Sequence, residues 1–124
     1  MILALVDDLF FRNLIEESAR SEGERCLILK EETEIEEALR KEIPKVLLMD
    51  VGVSNVDVPS LIEKLKQNST TRTISLVVFG SSIRGDLMQD ARELGADQVL
   101  PKASFKQQLP EIIRRYQKKK DLYT

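Results

Sequence analysis

Histidine is absent from this chain of 124 residues, and its absence excludes several classes of chemistry. Without histidine the chain cannot build a Ser-His-Asp or Cys-His nucleophile system, a histidine metal site or a phosphohistidine carrier. Any chemistry must therefore use carboxylates, lysine, serine, threonine or the backbone.

Cysteine is almost as scarce, since Cys26 is the single example. One cysteine cannot form an internal disulfide, and Cys26 opens the apolar run 26–29. This setting predicts a buried structural thiol rather than a reactive one. We therefore expect a protein of the reducing cytoplasm.

An excess of charge of either sign is also missing. Lys and Arg number 19 against 21 Asp and Glu, for a net charge of -2. No overall field draws such a chain to nucleic acid or to an acidic membrane. The basic residues Arg114, Arg115 and 118–120 are interpreted as a solvated helix end, where cations complement the helix dipole. We expect no direct nucleic-acid binding.

Long apolar runs are missing too, because none reaches the roughly 20 residues that a membrane helix needs. Residues 1–6 are apolar but lack a basic leader and are followed by Asp7 and Asp8, unlike a signal peptide. We expect no membrane insertion.

What is present is a regular alternation of short apolar runs and segments of helical period. The predicted strands cover residues 2–6, 25–29, 45–49, 74–79 and 98–100. The predicted helices cover residues 9–22, 34–42, 60–67, 86–94 and 105–119. This pattern predicts an α/β domain with a doubly wound, five-stranded parallel sheet, flavodoxin-like in its strand order 2-1-3-4-5. The domain is expected to span residues 1–120, with a short tail at 121–124 and no output domain.

Glycine and proline mark several predicted helix ends. Gly23 and Gly95 follow the first and fourth helices, and Pro59 suits a first helical turn. Pro110 falls inside the last helical pattern, where it removes a hydrogen bond. We expect a distorted first turn there, with regular helix only from about Leu109.

Chemistry-bearing residues follow four of the predicted strands. Asp7 and Asp8 follow the first, Asp50 ends the third, the segment 80–82 follows the fourth and Lys102 follows the fifth. Ligands of such folds bind outside the carboxyl ends of the strands. We expect the three carboxylates to meet there around a divalent cation, and oxygen ligands with room for water suit Mg²⁺. Together with the lysine, this arrangement predicts phosphoryl transfer to an aspartate.

These residues resemble the receiver domain of two-component response regulators, over about residues 1–118. The resemblance rests on the runs 5–8, 46–50, 74–79 and 93–102, in that order and spacing. It implies a module that catalyses only its own phosphoryl transfer and dephosphorylation and is otherwise not an enzyme. Its implied partners are a sensor histidine kinase or phosphotransfer protein and a downstream protein, and a homodimer stays open.

The resemblance also implies a role for each matching residue. Asp50 would accept the phosphoryl group, Lys102 would pair with Asp50 or with a phosphoryl oxygen, and the amide of Ser81 would contact the same group. The implied ligands of Mg²⁺, direct or through water, are Asp7, Asp8, Asp50 and the carbonyl of Gly52.

Three positions depart from the family pattern when the chain is aligned on Gly95 and Lys102. Gly80 replaces a Thr or Ser that closes onto the phosphoryl oxygen, and Val99 replaces an aromatic residue that swings inward. Valine has one strongly favoured rotamer and cannot copy that swing. Ala103 replaces a proline, and a cis bond before it would cost about 3 kcal/mol, so we predict a trans or strained peptide bond.

Two functions therefore stay open: a stand-alone phosphorylatable receiver, and a receiver-like interaction module that no longer uses phosphorylation. A flavodoxin-like cofactor enzyme is disfavoured, because residues 7–11 lack the small hydroxyl and glycine residues that would cradle a phosphate. Asp8 is expected to act also as a helix cap. One of Phe10 and Phe11 is expected to be exposed near the crevice, where it could help to dock a partner.

Overall fold

The computed structural model describes the backbone of residues 1–121 and the side chains of residues 1–117. Its strands are β1 (Ile2–Leu5), β2 (Cys26–Leu29), β3 (Val46–Asp50), β4 (Ser75–Gly80) and β5 (Gln98–Pro101). Its helices are α1 (Leu9–Ser21), α2 (Glu32–Lys41), α3 (Val58–Gln67), α4 (Gly85–Glu93) and α5 (Lys102–Asp121), and a 3₁₀ turn (Ser82–Arg84) precedes α4. Most of the expected tail, residues 122–124, lies outside the described residues.

All five strands are parallel and lie in the order β2-β1-β3-β4-β5, which confirms the predicted architecture. The inner strands β1, β3 and β4 are buried along their whole length, whereas the edge strands β2 and β5 are partly exposed. A parallel sheet covered on both faces requires apolar residues at successive positions. The continuous apolar runs in the sequence reflect this burial.

The helices cover the two faces of the sheet unequally. Helices α1 and α5 pack on one face through residues such as Phe11, Ile15 and Phe105. Helices α2, α3 and α4 pack on the other face, where Ile35 and Ile62 are fully buried. Within the described residues, no helix is both long and apolar enough to cross a bilayer.

Most of the predicted helix ends are confirmed. Gly23 and Gly95 adopt positive φ angles of 70° and 107° after α1 and α4, and Pro59 lies in the first turn of α3. Helix α2 begins earlier than predicted because Glu31 and Glu34 form a capping box at its start.

The prediction for the last helix was wrong at Pro110. Helix α5 begins at Lys102 and continues through Pro110. The proline leaves the carbonyl of Lys106 without its usual N–H partner, but both residues are exposed and water can replace that bond. Phe105 and Ile112, on either side of the proline, are fully buried against the sheet and keep the helix continuous.

Two other expectations are refined by the structure. Cys26 is only partly buried, so the prediction of a buried thiol was too strong. Burial nevertheless raises the pKa of Cys26 to about 11, which keeps it in the unreactive thiol form. At the basic end of the chain, Arg114 pairs with Glu22 at 2.9 Å and Arg115 with Glu111 at 3.8 Å.

Candidate functional site

A crevice lies at the carboxyl ends of the strands, where the strand order places β1 beside β3. Asp50 is the last residue of β3 and is only 3% exposed. Asp8 is half-buried and Asp7 is exposed after β1, and Lys102 opens α5 directly after β5. The topology therefore brings acidic and basic side chains to one edge of the sheet.

The ammonium group of Lys102 is shared by two carboxylates. Its Nζ lies 3.8 Å from Oδ2 of Asp50 and 3.9 Å from Oδ2 of Asp8. The same Nζ lies 5.3 Å from the ring centroid of Phe11, within cation–π range. Both carboxylate distances exceed a hydrogen bond, so the lysine acts through its charge.

The carboxylate of Asp50 is held on its other side by the backbone. Its Oδ1 accepts a hydrogen bond of 2.8 Å from the N–H of Gly52. A Cβ at position 52 would lie 3.3 Å from this same oxygen, so glycine allows the close approach. The two oxygens of Asp50 thus have different neighbours, a backbone donor and a lysine.

The pKa of Asp50 is raised above its ordinary value of 3.8, first because burial disfavours the charged form. The N–H of Gly52 and the charge of Lys102 lower the pKa, whereas the negative charges of Asp7 and Asp8 raise it. A carboxylate in this setting gains from a further positive charge.

The remaining carboxylates are tied to the backbone. Oδ2 of Asp7 accepts from the N–H of Ser54 at 3.0 Å. Oδ1 of Asp8 accepts from the N–H of Phe11 at 3.2 Å, so Asp8 caps α1 while its Oδ2 faces Lys102, as predicted. No three acidic, cysteine or histidine side chains group closely enough to hold a metal ion anywhere in the described part of the chain. The expectation that the three carboxylates meet as one metal-binding group is therefore not met in these residues, although Asp7, while bonded to the N–H of Ser54, still raises the pKa of Asp50.

The donors that remain still fit Mg²⁺. Mg²⁺ commonly takes one or two carboxylates and keeps several waters, so a cage of three carboxylates is not required. Asp8 and Asp50 supply carboxylate oxygens, and Gly52 supplies a carbonyl oxygen two residues after Asp50. The exposed Asp7 adds negative charge nearby, and its influence on the pKa of Asp50 reflects that proximity.

Sequence reasoning missed how closely Gly80, at the end of β4, is packed against its neighbours. A Cβ at the buried Gly80 would lie 2.5 Å from Cγ2 of Val51 and 3.2 Å from Sδ of Met88. The space that a Thr or Ser side chain would need is therefore filled. Val51 and Met88 are ordinary apolar residues, and no sequence signal marks this contact.

The structure confirms the sequence expectations for the peptide bond before Ala103 and for Phe10 and Phe11. Ser81 is half-buried, and its Oγ accepts from the N–H of Ile83 at 3.3 Å. No cis peptide bond occurs in residues 1–121, so the bond before Ala103 is trans. Phe11 is 8% exposed and Phe10 is 54% exposed, which confirms that only one of them faces inward.

Solved receiver domains have the same fold as this chain. The receiver domain of sensor histidine kinase PA1611 from Pseudomonas aeruginosa PAO1, described with a magnesium ion coordinated in its active site cleft, matches with a TM-score of 0.78 at 18% identity. That match covers 93% of this chain and 94% of the other. A response regulator signal receiver domain from Bermanella marisrubri matches with a TM-score of 0.81 at 23% identity, over 93% and 95% of the two chains. The chain has the receiver fold.

The sequence comparisons are weaker than the structural ones. The DNA-binding transcriptional regulator NtrC of Proteus hauseri is 29% identical over 96 residues, which cover 77% of this chain. The chain spans 20% of the length of that relative. No family model matches the chain.

The receiver fold brings together most of the residues that the sequence singled out. Lys102 lies within 4 Å of both Asp8 and Asp50, and the N–H of Gly52 donates to Asp50. Asp7 accepts a hydrogen bond from Ser54 and lies close enough to raise the pKa of Asp50, and Ser81 follows β4 at the same edge of the sheet.

Proposed function

We propose that this receiver accepts a phosphoryl group on Asp50, with Mg²⁺ held beside it, and signals by binding another protein. The observation that carries the proposal is the lysine shared between carboxylates, at 3.8 Å from the buried Asp50 and 3.9 Å from Asp8. A buried carboxylate beside a fixed cation, at the edge of the sheet where such folds bind ligands, suits a phosphoryl acceptor.

The phosphohistidine donor must lie outside these 124 residues, because they contain no histidine. A carboxylate oxygen of Asp50 attacks the phosphorus of a phosphohistidine on a kinase or phosphotransfer protein. The new P–O bond forms as the P–N bond breaks, and the imidazole nitrogen keeps the electron pair. The product is an acyl phosphate on Asp50.

Around that product, the chain offers donors for the phosphoryl oxygens. Lys102 supplies positive charge, and the backbone N–H groups of Gly52 and Ser81 supply hydrogen bonds. Asp8, Asp50 and the carbonyl of Gly52 would hold Mg²⁺, with Asp7 reaching it through water. When bound, the ion neutralises charge that develops on the transferring group. The magnesium ion described in the active site cleft of the Pseudomonas receiver domain supports Mg²⁺ as the ion for this site.

A titration followed by NMR tests the proposal. We expect Mg²⁺ and then beryllofluoride, a stable mimic of an acyl phosphate, to shift the amide resonances of residues 7, 8, 50–52, 80–82 and 102. Asp50→Asn should abolish both responses. Asp57→Asn is the matched control, because Asp57 caps α3 by accepting from the N–H of Ser60, and asparagine caps equally well.

The alternative is a binding module that no longer uses phosphorylation. The observation in its favour is the contact of Val51 and Met88 over Gly80, which leaves no room for a switch hydroxyl. If the folded wild type shows no magnesium-dependent shift, or if Asp50→Asn responds like the wild type, the acceptor function is wrong and this alternative is supported.

A further inference from the structure

Phe11, on the first turn of α1, presents its ring to the lysine of the candidate site. The ring centroid lies 5.3 Å from Nζ of Lys102, inside the roughly 6 Å range of a cation–π contact. Phe11 is buried and Lys102 is only partly exposed, so much of the contact is shielded from water. A cation–π contact is stronger where it is desolvated.

The ammonium group of Lys102 stops short of both carboxylates beside it. Its Nζ lies 3.8 Å from Oδ2 of Asp50 and 3.9 Å from Oδ2 of Asp8. A charged hydrogen bond from an ammonium to a carboxylate closes to about 2.7–2.9 Å. The ring of Phe11 is the third neighbour of this charge, and its attraction acts in addition to that of the two acids.

The ring of Phe11 is itself fixed by elements that carry the site. The N–H of Phe11 donates at 3.2 Å to Oδ1 of Asp8, the acid whose other oxygen faces Lys102. The ring centroid lies 5.4 Å from that of Phe79 on β4 and 6.2 Å from that of Phe105 on α5. Phe79 and Phe105 are fully buried and stack on each other at 3.9 Å. The ring of Phe11 therefore rests on a packed aromatic cluster.

A second contact of the same kind lies beside the first one. Lys106 is one helical turn after Lys102, and its Nζ lies 5.2 Å from the ring centroid of Phe10. Both Phe10 and Lys106 are exposed, and Lys106 forms no ion pair with Asp8 or with another acid within residues 1–117. The chain thus offers a matched contact that does not reach the acids of the site.

We propose that Phe11 is a positioning residue, whose ring holds the ammonium group of Lys102 between Asp8 and Asp50 without a hydrogen bond to either acid. The N–H donors of Lys102 then remain for the oxygens of a phosphoryl group on Asp50, so this role rests on the proposed function. Packing alone requires only an apolar side chain at position 11. An aliphatic side chain there would leave the ammonium group to exchange between the two acids and water.

NMR relaxation in metal-free buffer tests the position of the lysine without any phosphoryl group. In the wild type, the ring should shift the Hε resonances of Lys102 upfield, and Cε of Lys102 should be more ordered than Cε of Lys106. Phe11→Leu should lower the order parameter of Lys102 Cε. A trifluorinated phenylalanine at position 11 should do the same, because it keeps the ring but withdraws negative charge from its face. Phe10→Leu is the matched control and should leave Lys102 unchanged. If Lys102 is as ordered in Phe11→Leu as in the wild type, the inference is wrong.

A double-mutant cycle then separates positioning from packing. Phe11→Leu should weaken the Mg²⁺-dependent binding of beryllofluoride about three- to tenfold, which is the range that a cation–π contact supplies. In Lys102→Gln, which lacks the ammonium group, the same change should leave the affinity unaltered. Urea unfolding shows that each variant folds. Equal losses of affinity in both backgrounds would show that Phe11 only packs, and would overturn the inference. If the wild type binds no beryllofluoride, the proposed function is wrong, and the relaxation data alone decide whether Phe11 positions Lys102.

Discussion

Replacing Gly80 with alanine tests the packing at the end of β4. Gly80 is not at a positive φ, so its backbone does not require glycine, and a compatible Gly→Ala change ordinarily stabilises a protein by about 0.4–1 kcal/mol. Here the new Cβ would lie 2.5 Å from Cγ2 of Val51, although carbon atoms prefer about 3.5–4.0 Å. Val51 is 4% exposed and β-branched, so it cannot rotate away. The side chain of Met88 is more flexible than that of Val51 and can move away from the new Cβ more easily.

We therefore expect Gly80→Ala to destabilise the protein by about 1–3 kcal/mol, the usual cost of overpacking. Gly85→Ala is the control, because Gly85 opens α4 and a Cβ there meets nothing within 4 Å. That change should stabilise the protein by about 0.4–1 kcal/mol. The two glycine substitutions should therefore change the free energy of unfolding in opposite directions.

A double-mutant cycle with Val51→Ala identifies the cause. Val51→Ala should itself lower the free energy of unfolding by about 1.6 kcal/mol, because it removes two buried methyl groups. In that background the cost of Gly80→Ala should fall by about 1 kcal/mol or more. Urea unfolding measures all four proteins, and equal m-values show that only stability has changed. If Gly80→Ala stabilises the protein as Gly85→Ala does, or if Val51→Ala leaves its cost unchanged, the steric explanation is refuted.

Three further predictions concern charged groups. Burial alone would raise the pKa of Glu24, but hydrogen bonds from Lys45, Gln117 and the terminal amine lower it to about 2 from an ordinary 4.5. Glu24 therefore contributes stability above about pH 4.5, and this contribution is lost as the pH falls towards 2. Glu24→Gln should lower the free energy of unfolding by roughly 3 kcal/mol at pH 7. If the free energy of unfolding of this variant still depends on pH as it does in the wild type, the prediction is contradicted. Asp50→Asn should raise the urea midpoint in metal-free buffer, because it removes a negative charge that burial disfavours more than Gly52 and Lys102 stabilise it; a lower midpoint would count against that. Lys102→Gln should raise the pKa of Asp50 further, as NMR titration of the side-chain carbon can measure; an unchanged pKa would show that the lysine does not act through charge.

The fold could be predicted because its elements follow from local patterns. The buried strands β1, β3 and β4 are continuous apolar runs, and Gly23 and Gly95 mark helix ends by a backbone conformation that glycine favours. The start of α5 could not be read in this way. Its helical conformation around Pro110 depends on burial of Phe105 and Ile112 against the sheet, which is a tertiary effect.

The candidate site was predictable only in part. Position after a strand was enough to select Asp8, Asp50 and Lys102, because parallel strands end at one edge of the sheet. The hydrogen bond that draws Asp7 to the backbone of Ser54 depends on the path of a loop, and no residue pattern specifies that path. The same limit applies to Gly80, whose neighbours are set by how α4 packs on β4.

Val51 connects the acceptor position to α4, and this connection leads to a final prediction. Val51 directly follows Asp50, and its N–H donates to the carbonyl of Phe79 at 3.0 Å. Its side chain fills the space over Gly80, beside Met88 of α4. Val51 and Met88 are both buried and both crowd the space over Gly80, so we expect a displacement at Asp50 to shift them together as a packed unit.

We therefore expect beryllofluoride to change amide exchange across residues 85–93, even though a switch hydroxyl is missing. Hydrogen exchange with and without the mimic, in the wild type and in Val51→Ala, measures this coupling. The change should shrink in Val51→Ala, because the smaller side chain breaks the packed link while Asp50 stays intact. If beryllofluoride alters the crevice but leaves exchange in α4 unchanged in both proteins, Val51 does not transmit the signal.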